Sequence, residues 1–132
     1  MVKNVLLVVV LLLALGSSCS KGPVVVVLYN NTPVDLTIHG DEEKLLADIA
    51  PGKTAEIRFQ ELQWIDFGMI GHRYDIKSFS TSGFVYGNKV KIQAENDGRL
   101  YLVPQDMAFP LKTFSQQPAG FPLVPVQKVD LT

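Results

Sequence analysis

The chain reads as all-β: a small antiparallel β-sandwich or barrel followed by a proline-rich, extended C-terminal tail. Three observations predict this. β-branched or alternating apolar runs recur at short intervals between turn signals, at Val24–Tyr29, Val34–Ile38 and Ala55–Phe59. The stretch Lys89–Pro104 has the pattern of a hairpin closed by Asn96-Asp97-Gly98. Five of the eight prolines fall at positions 104, 110, 118, 122 and 125, and proline lacks the N–H that a sheet ladder needs.

Taken in order, Val24–Tyr29 is a β-branched run, and Asn30-Asn31-Thr32-Pro33 is a turn. Val34, Leu36 and Ile38 then alternate with Asp35, Thr37 and His39, the period of a half-buried strand. Asp41–Leu46 is the only stretch that suits a short helical turn, with Asp41, Glu42 and Glu43 placing carboxylates at its start. Pro51-Gly52 marks a turn, after which Ala55, Ile57 and Phe59 alternate with Thr54, Glu56 and Arg58. Trp64–Gly87 is less regular, rich in aromatics (Trp64, Phe67, Tyr74, Phe79, Phe84, Tyr86) and glycines, and is expected to form two or three short strands.

Two registers compete for the hairpin. A two-residue Asp97-Gly98 loop pairs Glu95 with Leu100 and Gln93 with Leu102, mixing polar and apolar residues on one face. A three-residue Asn96-Asp97-Gly98 loop sets Glu95 opposite Arg99 and pairs Ala94 with Leu100 and Ile92 with Leu102. Those apolar pairs then share one face, and Gln93 and Tyr101 the other. Burial of one face selects the second register, and Gly98 supplies the positive φ that its loop requires. The tail carries Phe109, Leu111, Phe114, Phe121, Leu123 and Val124. Such a segment is expected to lie across a face or edge of the sandwich, the alternative being an arm that adds to a partner's sheet. A strand is expected only near Val126–Leu131. The count of about seven strands is immunoglobulin-like in architecture, although the Cys…Trp…Cys hallmark of true immunoglobulin domains is absent.

The N-terminus has a different texture. Lys3 precedes an uninterrupted apolar run, Val5–Leu15, and then the small residues Gly16, Ser17 and Ser18. That order is the layout of a secretory signal peptide, and the run is too short for a transmembrane helix of about 20 residues. The sole cysteine, Cys19, follows at once. "LLALGSSCS" resembles the lipobox of bacterial lipoproteins, with the departure that Leu15 stands four residues before the cysteine and Gly16 three before. The resemblance covers residues 1–20 and implies a signal peptide at 1–18, diacylation of Cys19, and a lipid-anchor linker at 19–23. It also implies residence in the cell envelope, while the strand pattern and the prolines by themselves divide the remainder into a β-sandwich body at 24–104 and a proline-rich tail at 105–132 packed on it. Ser20 after the cysteine points to the outer membrane, facing the periplasm. Cleavage by an ordinary signal peptidase near Gly16, Ser18 or Ser20, giving a secreted protein, is the alternative. A lone cysteine forms no internal disulfide, and lipidation would remove a free thiol from an oxidising compartment.

Without residues 1–18 the chain loses only Lys3 among its charges, leaving 11 basic and 13 acidic residues. That balance offers no basic face for nucleic acid. No catalytic or metal constellation with specific spacing is present, and none implies a cofactor. His72 with Met69 falls short of a copper set. His39 with Asp41, Glu42 and Glu43 is a loose cation set that reads better as a solvated turn. Ser78, Ser80 and Ser82 lie in no nucleophile motif, and Asp66 and Asp75 are the only carboxylates in the aromatic stretch. Trp64 and Tyr74 are the candidate ligand contacts, as a platform for a sugar or peptide, unless Trp64 is instead the core tryptophan of the sandwich. The reading is therefore a lipid-anchored envelope module acting by binding or assembly, with the membrane, an envelope protein or a glycan as partner. Its rivals are glycan or peptidoglycan recognition through aromatics and inhibition of a periplasmic hydrolase.

Overall fold

The structure is a computed structural model and describes residues 24–75, 89–114 and 116–132. The leader, Cys19 and its linker, Phe79, Phe84, Tyr86 and the three serines lie outside the described residues.

Nine strands occur among the described residues: β1 (Val25–Asn31), β2 (Leu36–His39), β3 (Leu45–Ile49), β4 (Thr54–Arg58), β5 (Trp64–Phe67), β6 (Ile70–Arg73), β7 (Lys89–Glu95), β8 (Leu100–Val103) and β9 (Gln127–Asp130). They form two sheets, ordered β4-β1-β7-β8 and β3-β2-β5-β6-β9. The chain is thus a small β-sandwich. Every pairing is antiparallel except β1 with β7, which runs parallel from Val25↔Lys89 to Asn31↔Glu95. A parallel neighbour needs a long return path, and residues 32–88 supply it.

The core follows from strand alternation. Val26 and Leu28 of β1, Leu36 and Ile38 of β2, Ile57 of β4, Ile65 and Phe67 of β5, Val90 and Ile92 of β7, and Leu100 and Leu102 of β8 all point inward and are buried. Asn30 is buried as well, and its amide is fully used. Nδ2 donates to the carbonyls of Val34 and Ile49, while Oδ1 accepts from the Thr32 N–H and hydroxyl. One side chain therefore closes the β1–β2 turn and ties it to the end of β3.

The hairpin adopts the three-residue register: Ile92 faces Leu102, Ala94 faces Leu100, the Glu95 N–H donates to the Arg99 carbonyl, and Gly98 has φ +88°. The helical turn at Asp41–Leu46 is corrected. Only Asp41–Glu43 forms a single 3-10 turn, with Glu42 and Glu43 at φ 54° and 60°, so no helix N-terminus exists there. Leu45–Ile49 is instead an edge strand. Its two consecutive leucines blur the period-2 signal, and a bulge between Ile38 and His39 shifts its register.

The tail covers the first sheet. Phe109 stacks on Tyr29 and Phe114 on Tyr101, with ring centroids 4.8 and 3.9 Å apart. The buried Gln93 amide pairs with the Leu111 main chain, accepting at 2.8 Å and donating at 3.0 Å. The Gln117 amide pairs in the same way with Leu102, and Leu123 bridges Leu100, so the outer edge of β8 is occupied. The chain then crosses to the second sheet as β9. Among the described residues, the outer face of the second sheet is left without such a cover.

Candidate functional site

On that open face the second sheet presents the residues that its core positions exclude. In β5, Ile65 and Phe67 enter the core, so Trp64 and Asp66 point outward. The cross-strand neighbours of Trp64 are His39 on β2 and Arg73 on β6, and those of Asp66 are Thr37 and Gly71. A depression of about 550 Å³ opens here, lined by His39, Glu42, Glu43, Trp64, Asp66 and Arg73, among others.

Gly71 shapes the floor. A Cβ at this position would lie 2.2 Å from Cζ2, 2.4 Å from Nε1 and 2.5 Å from Cε2 of Trp64. The indole therefore lies down over the glycine backbone, against the sheet. Its N–H donates to Asp66 Oδ1 at 2.5 Å, and Asp66 Oδ2 is held by His39 Nε2 at 2.9 Å. The carboxylate thus accepts from both rings, and both contacts fix the indole in place. His39 Nδ1 is buried without a partner. A ring with its hydrogen on Nε2 leaves only a lone pair unmatched there, a smaller cost than an unmatched N–H.

Around the floor the rim is polar. Gln63 donates to Asp41, Glu42 and Glu43 stand on the left-handed turn after β2, and Arg73 is exposed on the opposite side. The result is an aromatic patch held rigid from below, bordered by acceptors on one side and a guanidinium on the other. Such a site can stack a ring and hydrogen-bond its substituents.

The two candidate contact residues separate. Trp64 is half-buried on the outer face, and the core-tryptophan alternative does not describe it. Tyr74 is buried, and its hydroxyl donates to the Gly98 carbonyl, tying the end of β6 to the hairpin of the other sheet. Burial pushes its phenol well above the ordinary range, with Asp97 adding to the effect. Tyr74 borders a second depression, of about 340 Å³, with Asp75 and Arg73.

Among the described residues, the remaining candidates do not converge. His72 is buried edge-on to Phe67, ring centroids 4.4 Å apart, and burial, followed by the charge of Lys128, holds it below the ordinary histidine value. Asp66 and Asp75 border different depressions. Among the described residues no group of three or more His, Cys, Asp or Glu is placed to hold a metal ion.

Gly71 and Arg73 belong to this site and carry no sign of it in the sequence, whereas His39 stands out there with Asp41, Glu42 and Glu43, of which Glu42 and Glu43 line the same depression. One signal was available: Asp66 shares the phase of Trp64 in "WIDF", and a carboxylate is seldom buried unpaired, so its phase is the solvent side. Compared with known proteins, the chain matches no family model, no curated protein and no solved structure.

Proposed function

We propose that this chain is a non-catalytic binding module of the bacterial cell envelope, lipid-anchored through Cys19, that recognises a glycan through Trp64. The observation that carries the reading is the indole laid over Gly71 with its N–H held by Asp66. A platform fixed before the ligand arrives loses little side-chain entropy on binding. The apolar face of a sugar ring stacks on the indole, and its hydroxyls meet Gln63, Glu42, Glu43 and Arg73 around the rim. The lipobox-like N-terminus supports the anchoring.

Trp64 is the only tryptophan, so its fluorescence reports the site alone. Titration of the full chain with soluble cell-wall glycan fragments should shift or quench the emission, and Trp64→Ala should abolish binding measured by calorimetry. Emission indifferent to every fragment, with no calorimetric binding, refutes the glycan reading. For the anchor, the intact mass of the N-terminal peptide from protein made in a bacterium should carry a diacyl or triacyl adduct on Cys19. An unmodified peptide refutes it.

A further inference from the structure

The second sheet ends at β9, whose far side pairs with no strand among the described residues. The backbone phase of this edge is set by its inner neighbour. Gly71 faces Val129, and the Leu131 N–H donates to the Met69 carbonyl. Peptide groups alternate sides along a strand. Residues 129 and 131 therefore turn their N–H and C=O groups toward β6, and Lys128 and Asp130 turn theirs outward to the free edge.

We infer that β9 is the interface of a two-fold homodimer, pairing antiparallel with β9 of a second copy about an axis through Val129. Strand phase and charge together select this register. An axis between residues would set outward-facing groups against inward-facing ones. An axis at Lys128 would oppose two lysines, and one at Asp130 two aspartates. The axis at Val129 alone sets Lys128 opposite Asp130 of the other copy, twice, with their free backbone groups facing each other. A self-complementary patch of this kind is what a two-fold interface requires.

The other edges fit less well. β8 is covered by Gln117 and Leu123. β3 carries a single charge, Asp48, with no cation to meet it. In β4, Glu56 already holds Lys89 at 2.8 Å. Lys128 makes no ion pair among the described residues, and both Lys128 and Asp130 are exposed. The apolar residues Val126, Leu131, Met69 and Ile70 are 64, 42, 56 and 46 % exposed beside the same edge. The dimer joins the two second sheets into one of ten strands. Gly71, Val129 and their two counterparts then lie in one row, three strand spacings from end to end. At about 4.8 Å per spacing the two indole platforms sit roughly 14 Å apart on the same face. The dimer itself does not depend on what those platforms bind.

Disulfide trapping tests this in membranes of cells making the full chain. Opposed Val129 residues form a non-hydrogen-bonded pair with Cα atoms about 4.5 Å apart, within disulfide reach. Val129→Cys should cross-link on oxidation, while the unsubstituted chain and Ala47→Cys on β3 should not. Adding Lys128→Asp should lower the cross-linked fraction about tenfold by opposing like charges twice, and Asp130→Lys in the same chain should restore it. Val129→Cys that keeps the Trp64 emission yet stays uncross-linked overturns the inference. So does equal cross-linking at Ala47→Cys, a Lys128→Asp variant without effect, or a monomeric mass of the unsubstituted chain by light scattering at every concentration.

Discussion

Gly71→Ala isolates the platform in one methyl group. The added Cβ would stand 2.2 Å from the nearest indole carbon, where carbon atoms prefer about 3.5 Å or more. The ring must therefore move by roughly 1.3 Å. The sheet cannot yield instead without disturbing the β5–β6 and β6–β9 ladders. Moving the ring breaks the bond from Nε1 to Asp66, a bond to a charged acceptor that contributes about 1.5–3 kcal/mol. Overpacking adds to that, and partial exposure of the site reduces both. The net expectation is a loss of about 2 kcal/mol. In urea this lowers the unfolding midpoint by roughly 1 M. The same variant should shift Trp64 emission to the red as the indole leaves the sheet, and weaken glycan binding in parallel. An unchanged spectrum and an unchanged midpoint would refute the packing of Trp64 on Gly71, and with it the basis for a fixed platform.

Tyr74→Phe removes the hydroxyl that ties the two sheets through Gly98 and should cost about 1–3 kcal/mol in chemical denaturation, since a buried carbonyl is left unpaired. Because the folded phenol titrates above its unfolded value of 10.0, the unfolded chain releases its proton first. Stability should then fall as pH rises past about 10, and Tyr74→Phe should flatten that decline. His72 is shifted downward by burial and Lys128, so its contribution is complete above the unfolded value of 6.5 and is lost as pH falls through the folded one. His72→Leu should reduce the acid-side slope of stability, and an identical slope would show that His72 is not the group responsible. Gln93→Leu strands the Leu111 N–H and C=O. It should accelerate amide exchange and proteolysis across residues 105–114 while leaving Trp64 emission unchanged. Equal protection in both proteins would mean that the Gln93 amide is not what holds the tail, leaving the Phe109 and Phe114 stacks and the Lys91 and Gln105 bonds to do so.

Strand content was legible wherever one face of a strand is buried. Leu36 and Ile38 against Thr37 and His39, and the Ile92–Leu102 and Ala94–Leu100 pairs, left only one phase that buries apolar surface. Where neighbouring residues are alike, as at Leu45 and Leu46, phase is ambiguous, and these first two residues of the edge strand β3 suit the end of a helical turn as well as a strand. Trp64 is notable in the sequence, but the indole alone leaves its direction open, because a large aromatic suits a core and a platform equally well; only the phase it shares with Asp66 marks it as outward. Tyr74 lacked any local sign that its hydroxyl would find Gly98 across the sandwich.

The sequence by itself determined the all-β class, the hairpin register and the extended character of the proline-rich tail. Each of these rests on local constraints: alternation, the φ of a turn glycine and the missing N–H of proline. Only the tertiary structure decided that β7 joins β1 in parallel, that the tail covers one sheet and, among the described residues, leaves the outer face of the other without such a cover, and that His39, Trp64, Asp66, Gly71 and Arg73 meet on that face. Those residues come from three strands and span positions 39 to 73. Their contact depends on the order of strands in the sheet, and strand order is set by long-range pairing that no local pattern encodes.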